Sequence, residues 1–114
     1  IMIMDKVDPV YVNEAKNAMN RYNRGNYNYR NTTVNKDALD ADKALLVFSS
    51  FNNAAEAIAY YDKVKKAAPS EISWLQPSKY YFLIISDANL TVLKNNKDIP
   101  AYRNLLNTNF GNKF

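Results

Sequence analysis

The acidic side chains are the first candidates for chemistry in this sequence, because it contains no histidine and no cysteine. That composition excludes Ser-His-Asp and Cys-His catalysis, zinc fingers, thiol redox chemistry, and haem or iron–sulfur ligation. Hydrolysis by two carboxylates needs a pair of acids in contrasting environments. The three glutamates, Glu14, Glu56 and Glu71, are predicted at a helix surface, a helix cap and a loop. We therefore expect a non-enzymatic protein without catalytic residues.

Three neighbouring aspartates, Asp37, Asp40 and Asp42, offer oxygen ligands of the kind that divalent cations prefer. No glutamate or glycine turn follows them to complete an oxygen cage, and hairpin turns commonly contain aspartate. Phosphate-binding and dinucleotide-binding loops need several glycines, whereas this chain has only Gly25 and Gly111. The sequence therefore predicts neither a metal site nor a cofactor.

Tyrosine and asparagine are abundant, with nine and seventeen residues respectively. Their side chains can hydrogen-bond to and stack on sugars or peptides. Tyr22 and Tyr61 fall on predicted apolar helix faces, so we assign them to the core. The candidate binding surface consists of Tyr27, Tyr29, Thr33, Tyr80 and Tyr81. Packing within the sheet is an equally good explanation for these five residues.

The elements that must position these side chains begin with an apolar strand at residues 1–7. Asp8 followed by Pro9 then signals a helix start, because aspartate accepts free backbone N–H groups and proline suits the first turn. Apolar residues recur at helical spacing up to residue 24. Gly25 is expected to end this helix in the left-handed conformation.

A β-hairpin is predicted next, from β-branched residues at 32–34 and an apolar run at 44–48 around an aspartate turn. The second helix opens at Asn53 with a capping-box pattern and closes at Pro69. The segment that follows, with Trp74, is expected to form a short turn pressed onto the core. The strongest strand signal lies at 80–85.

Two short helices complete the pattern, one capped by Asp87 over 88–94 and one capped by Asp98 over 99–109. The order strand, helix, strand, strand, helix, strand predicts an α+β fold with a ferredoxin-like (βαββαβ) antiparallel sheet and helices on one face. We expect one domain, 1–114, with its core in 1–86 and a C-terminal helical extension in 87–114. The last helix is expected to pack against that core.

The charge pattern gives little support to nucleic-acid binding. The net charge is only +4, and Lys63, Lys65 and Lys66 are predicted on a solvated helix face. Ferredoxin-like RNA binders carry a basic, glycine and aromatic signature on the third strand, which residues 43–48 lack. We therefore expect no nucleic-acid partner. No apolar run approaches the 18 residues that a membrane span requires.

Two sequence elements resemble a known family. The first element combines residues 20–24, the run Val47-Phe48-Ser49-Ser50-Phe51-Asn52-Asn53-Ala54, and Tyr60 and Tyr61. The second element combines the run Tyr81-Phe82-Leu83-Ile84-Ile85-Ser86 with Asn89, Leu90, Lys97, Asp98 and Tyr102. Together they resemble the C-terminal domain of tetratricopeptide-repeat envelope lipoproteins of the Bacteroidota, of the SprE and PorW type that acts in gliding motility and type IX secretion.

This resemblance implies a scaffold role in the cell envelope, at the periplasmic face of the outer membrane. The partners would be envelope proteins of a secretion or motility complex. The repeats and a lipid anchor would lie upstream of Ile1 in a longer protein. The alternative function is binding of peptidoglycan through a groove on the sheet, by analogy with SPOR domains, which share the predicted strand order.

Overall fold

The computed structural model describes residues 1–26, 29 and 31–114, and in this part of the chain it contains four strands and four α-helices. The elements are β1 (Met2–Asp5), α1 (Pro9–Arg24), β2 (Thr33–Ala38), β3 (Lys43–Ser49), α2 (Ala54–Glu71), β4 (Tyr80–Phe82), α3 (Asp87–Asn96) and α4 (Ile99–Phe110). They divide into two compact units, Ile1–Ile84 with the whole sheet and Ile85–Phe114 with α3 and α4. The α+β prediction is confirmed.

The sheet has the strand order β2-β3-β1-β4, and each neighbouring pair is antiparallel. β1 lies inside the sheet, and its residues Met2, Ile3 and Met4 are all fully buried. This agrees with its sequence, which is apolar on both faces. The β2–β3 turn is closed by Asp40, whose Oδ1 accepts the backbone N–H groups of Asp42 and Lys43 at 2.8 and 2.9 Å.

Helices α1 and α2 contact each other and pack on the sheet face that carries Val34 and Phe48. The register places Leu46, Met2 and Phe82 on this same face, and all are buried. The opposite face has Ile3, Leu45 and Leu83 at its centre, and these residues are buried as well. The centre of the sheet therefore offers no exposed polar groove on either face.

α1 spans residues 9–24 as predicted, but both of its ends differ from expectation. Asp8 occupies the N-cap position, yet its side chain accepts no capping hydrogen bond. Gly25 has right-handed dihedral angles, φ −78° and ψ −7°, so the predicted left-handed stop is wrong. Asn26 ends the helix instead, because its Nδ2 donates to the Tyr22 carbonyl at 2.7 Å and so satisfies one of the free last-turn carbonyls.

α2 begins as predicted, with Asn53 Oδ1 accepting the Glu56 N–H at 2.9 Å. Pro69 does not close this helix. It lies in the last turn, and the helix continues to Glu71, with the Ile72 N–H donating to the Ala68 carbonyl at 2.9 Å. Because proline has no N–H, Pro69 donates no bond to the Lys65 carbonyl four residues earlier, yet the helix continues past it.

β4 is shorter than the predicted 80–85 strand. It pairs with β1 through residue 82, and the Leu83 and Ile1 backbones exchange two further hydrogen bonds of 2.8 and 2.9 Å. Ile84 continues the buried run beyond the end of the strand. An apolar run therefore marks burial here rather than strand length.

The Ile85–Phe114 unit contains α3 and α4. Ser86, not Asp87, caps α3, because Ser86 Oγ accepts the Asn89 N–H at 3.1 Å. Asp98 caps α4 as predicted, accepting the Ala101 N–H at 3.1 Å, and Gly111 ends it in the left-handed conformation. None of the described helices combines the length and the apolar character needed to cross a membrane.

Candidate functional site

The tyrosine surface predicted from the sequence does not come together as one site. Tyr27 lies outside the described residues. Tyr29 is half-buried, and Thr33 is exposed at the start of β2. Tyr80 is buried on the helix-covered face, with its ring centre 5.8 Å from that of Phe82, so packing within the sheet explains it and it is not part of an exposed binding surface. Its neighbour Tyr81 is half-buried on the opposite face.

The strand order explains why these residues are separated. β2 and β4 are the two outer strands, with β3 and β1 between them. Thr33 and Tyr81 therefore stand three strand spacings apart, which is about 14 Å across the sheet. The register also offsets them along the strands, because Thr33 pairs with Ser49 whereas Tyr81 lies in the row of Ile3 and Leu45, which are buried on the same face. A single sheet ligand cannot use both residues without crossing that apolar centre.

Tyr29 belongs to a packed polar and aromatic cluster at the carboxyl end of α1. Its ring meets Tyr60 edge-on at 4.7 Å, and the Lys63 ammonium lies 5.3 Å from its centre. The Tyr60 hydroxyl donates to Asn23 Oδ1, while Asn23 Nδ2 donates to the Thr32 carbonyl at 3.3 Å. Asn23 is only 1% exposed.

The chemistry of this cluster is structural. Burial raises the pKa of Tyr60 well above that of a free tyrosine. Its hydroxyl therefore stays protonated and donates to Asn23 Oδ1. The hydrogen bonds of Asn23 link α1 to α2 and to Thr32. We assign Tyr29 to this packing role.

The aspartate group of the hairpin is used for turn formation. Asp37 Oδ1 accepts the Ala38 N–H at 2.8 Å, and Asp40 Oδ1 closes the turn. Within the described ranges, no group of three or more acidic side chains is placed to hold a metal ion.

Three exposed apolar side chains form a different surface in the Ile1–Ile84 unit, which we call the Trp74 patch: Val10, Tyr11 and Trp74. They are 59%, 48% and 46% exposed. The rings of Tyr11 and Trp74 lie 5.7 Å apart and are tilted by 35°. Large apolar groups that stay in contact with water while touching one another mark an interaction surface more often than an isolated exposed residue does.

Two rigid elements hold the Trp74 patch in place. Val10 and Tyr11 are in the first turn of α1, where Val10 lies on the side away from the buried residues, whereas Tyr11 is four residues before Ala15 and borders the buried stripe. Trp74 follows α2 in a turn anchored by Ile72, which is fully buried and whose carbonyl accepts the Leu75 N–H at 2.9 Å. The patch therefore presents its rings from a fixed backbone.

The residues of this surface were not among those predicted from the sequence. The segment with Trp74 was expected to form a short turn pressed onto the core, and Ile72 does bury that turn, while Trp74 itself stays 46% exposed. The sequence contained one signal, because Val10 is apolar and lies outside the helical stripe of α1. Tyr11, four residues before Ala15, is in line with that stripe and gave no such signal.

The Ile85–Phe114 unit has an apolar groove of its own, of about 180 Å³, between α3 and α4. Val92 and Leu105 line it and are 55% and 49% exposed, while Asn89 and Asp98 contribute polar groups. A volume near this size accommodates one benzene-sized group. The groove is thus suited to a single apolar side chain.

Comparison with known proteins gives no relative from which a role could be transferred: no family model, no curated protein and no solved structure matches this chain.

Proposed function

We propose that this chain is a non-enzymatic protein–protein interaction module, with the Trp74 patch as its contact surface. The observation that carries the proposal is the pair of half-exposed rings, Tyr11 and Trp74, in contact on two rigid elements. Tryptophan and tyrosine dominate the residues that contribute most to protein–protein affinity. They supply a large contact area at a small cost in side-chain entropy.

The same proposal extends to the fold type. We infer a ferredoxin-like, split βαβ topology for the Ile1–Ile84 unit. The element order through β4, the fully antiparallel pairing, and the packing of α1 and α2 on one sheet face support it. In this topology the first turn of α1 and the end of α2 lie at the same end of the sheet, which is where the Trp74 patch lies.

The cellular setting is proposed from sequence resemblance alone. The partners would be envelope proteins of a secretion or gliding-motility complex, at the periplasmic face of the outer membrane. A membrane anchor would lie outside these 114 residues. The chain would then contribute one binding surface to a larger scaffold lipoprotein.

The test compares the wild-type chain with a Tyr11→Ala/Trp74→Ala variant. Each is immobilised and exposed to a detergent-solubilised envelope extract, and proteins that survive a high-salt wash are identified. The affinity of the purified captured protein is then measured directly. Loss of two central aromatic contacts should weaken binding at least tenfold, because such residues cost about 2 kcal/mol or more when truncated.

A Val92→Ala/Leu105→Ala variant is the matched control, since it also removes two half-exposed apolar side chains but from the other unit. It should bind as the wild type does. If the control loses binding and the patch variant keeps it, the α3–α4 groove is the contact surface and our site is wrong. Capture of peptidoglycan fragments or nucleic acid without protein would refute the proposed function.

A further inference from the structure

The outer edge of β2 is occupied by side chains of its own unit. In an antiparallel pair, the backbone groups of successive residues point alternately toward the partner strand and away from it. Leu39, directly after β2, donates its N–H to the Lys43 carbonyl at 2.9 Å, so the odd-numbered residues face β3 and the even-numbered residues face outward. Free outward groups of an edge strand are a template for pairing with another chain.

Asn20 of α1 binds both outward groups of Val34. Its Oδ1 accepts the Val34 N–H at 3.2 Å, and its Nδ2 donates to the Val34 carbonyl at 3.4 Å. A residue of a neighbouring antiparallel strand would make the same two bonds. One turn further along α1, Asn23 Nδ2 donates to the Thr32 carbonyl at 3.3 Å. The side chains of α1 thus stand where a further strand would pair.

Lys36 protects the next part of the edge in a second way. Its register partner Leu46 is buried on the helix-covered face, so the Lys36 side chain leaves the strand toward that same face. Lys36 is exposed there, because β2 is the outer strand. A lysine directed to the apolar face of an edge strand opposes strand addition, since the added strand would take its charge out of water.

We propose that Asn20 and Lys36 form an autoinhibitory contact that keeps β2 from pairing with β2 of a second copy of this chain. Two identical edges can pair antiparallel about a two-fold axis, which gives a closed dimer with one continuous sheet. The inference goes beyond the proposed function, because it concerns a self-association that the fold prevents and does not involve the Trp74 patch.

The test removes both protections with Asn20→Ala/Lys36→Val, which frees the Val34 backbone and puts a strand-forming apolar residue in place of the charge. In sedimentation velocity, the mass of this variant should rise toward that of a dimer as its concentration increases, whereas the wild-type mass should not change. Asn20→Ala/Lys36→Pro is the matched control, because proline lacks the outward N–H that an added strand needs. It should behave as the wild type does. A valine variant no heavier than the wild type, or equal association of the valine and proline variants, refutes the proposal.

Amide hydrogen exchange shows whether β2 is the edge involved. In the dilute valine variant the Val34 N–H should exchange several-fold faster than in the wild type, because its acceptor is gone, and it should become protected again as the dimer forms. The Asn35 N–H faces β3, so its exchange should stay unchanged. Faster exchange of both amides, or dimer formation by Tyr60→Phe, which keeps Asn20 and Lys36 in place, would assign the association to unfolding and overturn the proposal.

Discussion

The hydrogen bond between Tyr60 and Asn23 should be a major source of stability in the Ile1–Ile84 unit. Both residues are almost completely buried, at 3% and 1% exposure, and Asn23 also donates a hydrogen bond to the Thr32 carbonyl. Tyr60→Phe removes the donor and leaves a buried amide oxygen without a partner. An unsatisfied buried group costs about 1–3 kcal/mol. We expect the variant to lose about 2 kcal/mol of unfolding free energy.

The reverse change, Asn23→Leu, leaves the Tyr60 hydroxyl unsatisfied and also breaks the bond to Thr32. It should therefore cost more, about 2–4 kcal/mol. The double variant removes donor and acceptor together, and its loss should be smaller than the sum of the single losses. We expect an interaction energy of about 1–2 kcal/mol from this cycle, within the range for residues in direct contact.

Urea denaturation monitored by the fluorescence of Trp74 is the appropriate assay, because this sole tryptophan lies in the same unit as Tyr60. With a urea slope of about 1–3 kcal/mol per M, a loss of 2 kcal/mol moves the midpoint by about 1 M. Tyr11→Phe is the control, since its side chain is half exposed, and should cost under about 0.5 kcal/mol. Additive single losses, or a Tyr60→Phe loss no larger than that of the control, would refute the reasoning.

Two further predictions follow from backbone conformation and burial. Gly111→Ala should destabilise the chain by about 1 kcal/mol in a melting experiment because φ is +67°, whereas Gly25→Ala should be neutral or slightly stabilising because φ is −78° and the new Cβ meets only ordinary contacts. Ile72→Ala should lower the free energy of unfolding by about 2–5 kcal/mol and Trp74→Ala by clearly less, because Ile72 is fully buried and Trp74 is 46% exposed. Equal losses for the two variants would place Trp74 in the core.

Local signals predicted the elements of this fold well. The proline at the start of α1 and its helical periodicity gave the bounds 9–24, and Asp98 marked the start of α4. The aspartate turn placed the hairpin. These features depend on interactions within a few residues, which a sequence displays directly.

The errors concern interactions that only tertiary structure decides. An apolar run gave the wrong length for β4, because Ile84 is buried without belonging to the strand. Tyr80 could be explained by ligand binding or by sheet packing, and the β1–β4 register decides for packing, because it places Tyr80 beside Met4 on the helix-covered face. A one-residue shift in register would have turned it to the other side. Side-chain direction on a strand cannot be obtained from composition.

The candidate site was missed for a related reason, and the nature of the error supports its function. Asp8 was expected to cap α1 with its carboxylate, and the segment with Trp74 was expected to press onto the core. Stability favours both arrangements, because a capping bond contributes about 1 kcal/mol and a buried tryptophan more. The capping bond is absent, and Trp74 stays half-exposed although Ile72 of the same segment is fully buried. Departures from locally stabilising choices are expected where residues serve a partner rather than the fold. The exposed Trp74 ring, in contact with the ring of Tyr11, is such a departure and fits the proposed contact surface.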